Sequence, residues 1–161
     1  MSVPIFGPRI RRIEADRFLF DFDADERALL RRLTDQLRDV LVSGPTDATT
    51  RLFPPGYAND PQREAEYKEL IGDSLLERRL SDLDVLEASA AATELDADAL
   101  NVCMVAINSI RLVLGTTLDI SEELDLDELD DDDPRIPGLV VYQLLTQYVG
   151  EIVHALAGWD D

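Results

Sequence analysis

Two residues stand out for the chemistry they could do: Cys103 and His154, the one cysteine and the one histidine of the chain. Together a thiol and an imidazole make a nucleophile and its base, provided the thiolate is partly exposed and a third group orients the base. Cys103 sits in "LNVCMVAIN", on the apolar side of a helix, where burial raises a thiol pKa and hides the sulfur. His154 lies between Val153 and Ala155 and has no companion histidine or cysteine to complete a usual metal ligand set. No GxSxG, phosphate-binding glycine loop, dinucleotide fingerprint or HExxH occurs. The residues therefore assign no catalytic group, no metal and no cofactor. A thiol-dependent redox protein or small enzyme centred on Cys103 remains the alternative, although one cysteine makes no internal disulfide.

Carboxylates are the second resource, concentrated in "SEELDLDELDDDDPRIPG", Ser121 to Gly138. A calcium loop needs oxygen ligands at alternate positions, glycine at the sixth and glutamate at the twelfth. Counted from Asp125, Asp127 matches the third place, but Leu129 and Asp130 occupy the fifth and sixth. The pattern fails, and the run reads as a solvated, self-repelling loop. Mimicry of nucleic-acid charge is a further alternative for it.

The third polar set is Asn101, Asn108 and Arg111, on an otherwise apolar helix. Asn108 and Arg111 are one turn apart and can both hydrogen-bond a crossing segment such as "RLFPPGY", Arg51 to Tyr57, or an acidic side chain. They are either an internal brace or part of an exposed groove that recognises a partner.

These residues must be held by a scaffold, and periodicity predicts one. "RIRRI" and "RFLFDF", separated by "EAD", alternate as two short strands over residues 1–22, a hairpin that needs helices to lie against. Asp23 with Glu26 forms a capping box, Leu29, Leu30, Leu33, Leu37 and Leu41 follow at helical spacing, and Gly44-Pro45 stops the helix. Thr46 to Pro61 is a connector with a helical turn around Ala48 to Leu52. Helices are predicted near 24–43, 61–91, 96–114 and 137–157, with a kink at Gly72-Asp73-Ser74 and with Gly115 ending the third. That third helix is apolar round more than half its circumference and belongs at the centre. The fold class is mainly α (α+β), a single helical domain over 1–161 with an N-terminal two-stranded hairpin. Its parts are a helical core over 23–115, an acidic loop over 116–136 and a C-terminal helix over 137–158.

The totals narrow function further. With 161 residues, 45% hydrophobic and 30% charged, the chain has a globular composition and room for a core. Thirty-four acidic against 15 basic residues leave a net charge of −19, which repels phosphate backbones and excludes direct nucleic-acid binding. Only "PRIRR", Pro8 to Arg12, is locally basic. No stretch reads as a signal peptide or a membrane span, so a cytoplasmic location is expected. A basic or amphipathic protein partner suits the field; the oligomeric state is left open.

Two separated segments carry a resemblance. "TRLFPPGYANDPQREAEYKEL", Thr50 to Leu70, and "AINSIRLVLGTTLDI", Ala106 to Ile120, resemble an actinobacterial family known as a domain of unknown function. It has the same order of parts: a strand pair, a helix, "RLFP…Y…DP…EY", "N-x-x-RLVLGT" and a last helix with tryptophan. Genes of that family tend to lie beside the Clp protease adaptor, and some members act in the oxidative-stress response with a sigma factor on cysteine-biosynthesis genes. The resemblance implies a regulatory adaptor here, with a sigma factor or other regulator as protein partner. It does not extend to disulfide sensing, which needs two thiols where this chain has Cys103 alone. The expectation is a non-enzymatic regulatory protein acting through protein–protein contacts at Arg51, Leu52, Phe53, Pro54, Tyr57, Asn108 and Arg111.

Overall fold

The computed structural model describes residues 8–44, 46–53, 56, 57, 59–120 and 126–158. Strands β1 (Ile10–Glu14) and β2 (Arg17–Phe20) pair antiparallel, Ile10 opposite Phe20 and Arg12 opposite Phe18, with an irregularity between Arg12 and Glu14. A third strand, β3 (Glu94–Leu95), adds to β2 with Leu95 opposite Phe18. The hairpin is as expected, but the sheet has three strands. A two-residue strand carries no periodicity of its own and exists because β2 offers it an edge.

Helix α1 (Ala24–Val42) starts where the capping box places it: the Asp23 carboxylate accepts from Glu26 N–H at 2.8 Å, and Asp23 N–H donates to Glu26 Oε1 at 3.3 Å. A 3-10 connector, Asp47–Leu52, follows, its Thr49 hydroxyl accepting from Thr46 N–H and donating to Thr46 O. Helix α2 (Pro61–Ser89) is capped by Asp60 and runs unbroken through Gly72, so the segment does not divide into two helices there. One glycine in a long helix costs roughly 1 kcal/mol, too little to break it against its neighbouring turns.

Helix α3 (Ala97–Thr117) packs against α2, the connector and α4 (Ile136–Leu156). Leu100, Cys103, Ala106, Ile107 and Ile110 are buried on it, confirming its central place. It passes through Gly115 instead of ending there and stops at Leu118, before Asp119 turns left-handed with φ 55°. The reason is packing: a Cβ on Gly115 would lie 3.1 Å from the Tyr142 ring, so this glycine admits α4 and not a turn. In length and mean hydropathy, 1.5, α3 has the measure of a membrane span, which corrects the sequence reading. Its flanks are occupied by protein, as the core helix of a helical domain requires.

The acidic run is described from Leu126 onward. Leu126–Glu128 forms a 3-10 turn, and the Asp133 carboxylate accepts from Arg135 N, Nε and Nη2, which holds its pKa below the usual carboxylate value. Residues 121–125 lie outside the described set.

Phe18, Phe20 and Phe22 enter the core, Phe20 edge-on to Phe22 and Phe22 edge-on to Tyr148 of α4. The hairpin is thus sealed to the last helix by aromatic contacts about 4.5–4.7 Å apart at their centroids, within the range such pairs favour.

Candidate functional site

The residues expected to form one partner surface divide between three places. Leu52 is 1% exposed and packs inward, so its role is to pin the connector to the core. Arg111 does not meet the connector. Its Nε and Nη2 donate to Asn108 Oδ1 at 3.2 and 2.9 Å, Nη1 reaches Thr146 Oγ1 at 3.3 Å, and the guanidinium lies over the Tyr142 ring of α4. Asn108 and Arg111 therefore brace α3 to α4. Asn101 hydrogen-bonds its own helix at Ala97 O. Arg51 is exposed, and Pro54 lies outside the described residues.

Phe53 and Tyr57 reach a different feature. The N-terminal half of α2 carries Tyr67, Leu70, Ile71, Leu75 and Leu76, yet its buried residues, Leu83, Leu86 and Ser89, all belong to the other half. The first half overhangs, and beneath it opens a groove of about 360 Å³. Leu41 of α1, Phe53 of the connector and Tyr67, Ile71 and Leu76 of α2 form its apolar wall, while Glu64, Lys68 and Asp73 supply charge. Leu70, on the same half of α2 but outside this lining, is 80% exposed. Gly56 lies flat on the Tyr67 ring, where a Cβ would come within 2.9 Å. Tyr57 then turns edge-on to Tyr67, and its N–H donates to Glu64 Oε2 at 2.7 Å. The other oxygen, Glu64 Oε1, is buried without a hydrogen-bond partner.

A smaller cleft of about 240 Å³ lies across α3, lined by Leu52, Arg79, Met104, Asn108, Ser109 and Leu112 among others. Arg79 spans it, donating to Leu52 O and Ser109 Oγ at 3.4 Å each. This arginine, not Arg111, ties the connector to the helices.

Arg79, Arg27 and Arg12 are the residues that sequence reasoning missed. Arg27 donates to the carbonyls of Phe20, Phe22, Ala90 and Ala92, and Arg12 to those of Ala155 and Leu156 at the end of α4. The signal was periodicity: Arg12 is two from buried Ile10 on a strand, Arg27 three from Leu30 and Arg79 four from Leu83 on helices. Each guanidinium falls on an inward face, where its stem packs and its fork finds carbonyls.

Cys103 is fully buried, and burial pushes its thiol up to about 11 against an opposing hydrogen bond with Ser89. His154 is exposed on α4, and neither residue lines either cleft. A thiolate reagent at about pH 8 is expected to leave native Cys103 unmodified for hours and to react within seconds in denaturant. Prompt reaction of the folded protein would return the thiol to candidacy.

Titratable groups converge instead where β1, α1 and α4 meet. Arg9 pairs with Glu26, which also accepts from the Tyr148 hydroxyl, and Arg9 N–H donates to Glu151 Oε1 at 3.3 Å. Burial and the Glu26 carboxylate push the Tyr148 phenol up, so it stays a donor. Burial likewise raises Glu151 above its usual 4.5 against the pull of Arg9, and its Oε2 has no partner. A carboxyl whose folded pKa exceeds its unfolded one stabilises below the unfolded value and loses that contribution as pH rises through the folded value. At neutral pH the charged Glu151 is therefore a cost. Glu151→Gln should raise Tm at pH 7 by about 2 °C, and the gain should shrink as pH falls through the raised folded value and be gone below 4.5. Paired thermal melts across that range check it. Arg9, Glu26, Tyr148 and Glu151 line neither of the two clefts.

A family described as a domain of unknown function, DUF2017, matches residues 9–156. The chain belongs to this family. The match takes in both strands of the hairpin and all four helices. No curated protein and no solved structure matches the chain. Among the described residues no cluster of histidine, cysteine and carboxylate side chains could hold a metal ion.

Proposed function

We propose that this DUF2017 chain is a non-catalytic regulatory adaptor that works through protein–protein contacts, with the groove under α2 as its docking surface. One observation carries this reading: a 29-residue helix presents Tyr67, Ile71, Leu75 and Leu76 to a groove that its own fold leaves open. Contiguous apolar surface of this kind, rimmed by charge, is what protein interaction sites expose. The cysteine and histidine are placed apart and outside both clefts, which supports a binding role over thiol chemistry. The resemblance of residues 50–70 and 106–120 adds a sigma factor or similar regulator as the partner, and with it a cytoplasmic stress response.

Affinity capture from lysate, under reducing and oxidising conditions, tests the proposal. The native chain should retain a defined protein in both conditions, and Ile71→Asp should lose it without losing the helical circular dichroism spectrum. Capture unchanged by that substitution would move the surface elsewhere. Capture of nothing would end the adaptor reading.

A further inference from the structure

The chemistry of the groove restricts what can lie in it. Its floor is apolar, so an occupant must bring aliphatic or aromatic anchors. The buried Glu64 Oε1 lacks a donor, and a buried carboxylate oxygen left unpaired is destabilising until something donates to it. Tyr57 N–H holds Oε2, while Oε1 is itself covered, so a donor reaches it only by displacing the side chains over it. Asp73 adds a second carboxylate to the lining, and Glu66 and Glu69 lie on the same arm. Among the described residues Lys68 is the one cation of the lining, and its exposed stem can swing outward.

The length of the overhang sets the size of the occupant. Residues 61–75 span about 22 Å at 1.5 Å per residue, room for roughly four turns of a second helix. A second copy of this chain is a poor fit, because two bodies of net charge −19 repel and each would bring more carboxylates to Glu64.

We infer that the groove between the connector and the N-terminal half of α2 takes a basic amphipathic helix from a protein partner. Its apolar face packs on Phe53, Tyr67, Ile71 and Leu76, and a lysine or arginine of that helix meets the carboxylates of Glu64 and Asp73. This rests on the adaptor reading and names the chemistry of the partner. The mode is a helix laid in a groove, in which apolar anchors give affinity and the charged contact gives register.

The test uses the full chain and a fluorescein-labelled peptide of about 14 residues built from leucine and lysine at helical spacing. A matching peptide of leucine and glutamate is the control. Fluorescence anisotropy should show binding of the lysine peptide and none of the glutamate peptide. Ile71→Asp should weaken it at least about tenfold, as loss of a central anchor does. Glu64→Gln, nearly isosteric and so safe for folding, should weaken it about fivefold. Binding should persist in part at about 0.5 M salt, where long-range attraction is screened. Equal binding by the native chain and Glu64→Gln, with complete loss in salt, would mean attraction to the general field and overturn the inference. Absence of binding would also overturn it, as would a dimer by sedimentation that Ile71→Asp dissolves. These outcomes leave the adaptor reading standing if the native chain still captures a cellular protein.

Discussion

Replacing Arg27 with methionine is expected to destabilise the fold by about 3–4 kcal/mol, lowering Tm by about 10 °C. Arg27 donates to Phe22 O at 2.9 Å through Nε, to Ala90 O and Ala92 O at 2.8 and 2.6 Å through Nη1, and to Phe20 O at 2.9 Å through Nη2. Those carbonyls belong to the end of β2 and to the turn between α2 and β3, segments about 70 residues apart in sequence. Neither segment can satisfy them internally, since the chain is changing direction at both. Methionine keeps the stem packing and removes every donor, leaving half-buried acceptors unpaired. Arg27→Lys should recover only a minor part, because one ammonium cannot reproduce a planar fork with donors on three nitrogens. Urea unfolding of the three proteins measures it; a loss below about 1 kcal/mol would show that water replaces the guanidinium.

Glu26→Ala should cost about 3 kcal/mol, for three separate reasons. It removes half of the α1 capping box, the acceptor of the buried Tyr148 hydroxyl and the partner of Arg9. Tyr148→Phe should cost about 1–1.5 kcal/mol, since the ring and its edge contact with Phe22 survive. The double variant should fall short of the sum, because an unpaired phenol is part of the damage in the first. Strict additivity would mean that Glu26 and Tyr148 act independently. Glu26→Gln has a single acceptor oxygen for the two that Asp23 N–H and the Tyr148 hydroxyl now use, so with that oxygen on the cap it loses both the acceptor of the phenol and the ion pair with Arg9.

Apolar spacing made the helices legible. Leu30, Leu37 and Leu41 in α1 and Leu100, Cys103, Ile107 and Ile110 in α3 are inside where the period puts them. The errors arose where a neighbour overrode a local rule. Gly115 looks like a stop and is a packing site for Tyr142; Gly72 looks like a break and lies in a helix held on both sides of it. β3 needs β2 to exist. Of the surface expected from spacing, Phe53 lines the groove and Tyr57 packs edge-on against its Tyr67, Asn108 lines the smaller cleft with Leu52, and Arg111 bonds Asn108 and Thr146 of α4. Which residue braces and which stays open depends on tertiary distances, and helical spacing alone carries no information about them.

The tie between Arg12 and the last carbonyls of α4 reaches into how the molecule is made. Arg12 and Ala155 are 143 positions apart, and Arg9 and Glu151 are 142 apart. During synthesis the hairpin emerges long before α4, so Arg12 and Phe22 wait for Ala155 and Tyr148, while β3 and α3 can cover Phe18 sooner. Until α4 is made, part of the strand pair stays open to chaperones and neighbouring nascent chains. A chain cut short within α4 is therefore not merely shorter: it lacks the contacts that close the hairpin.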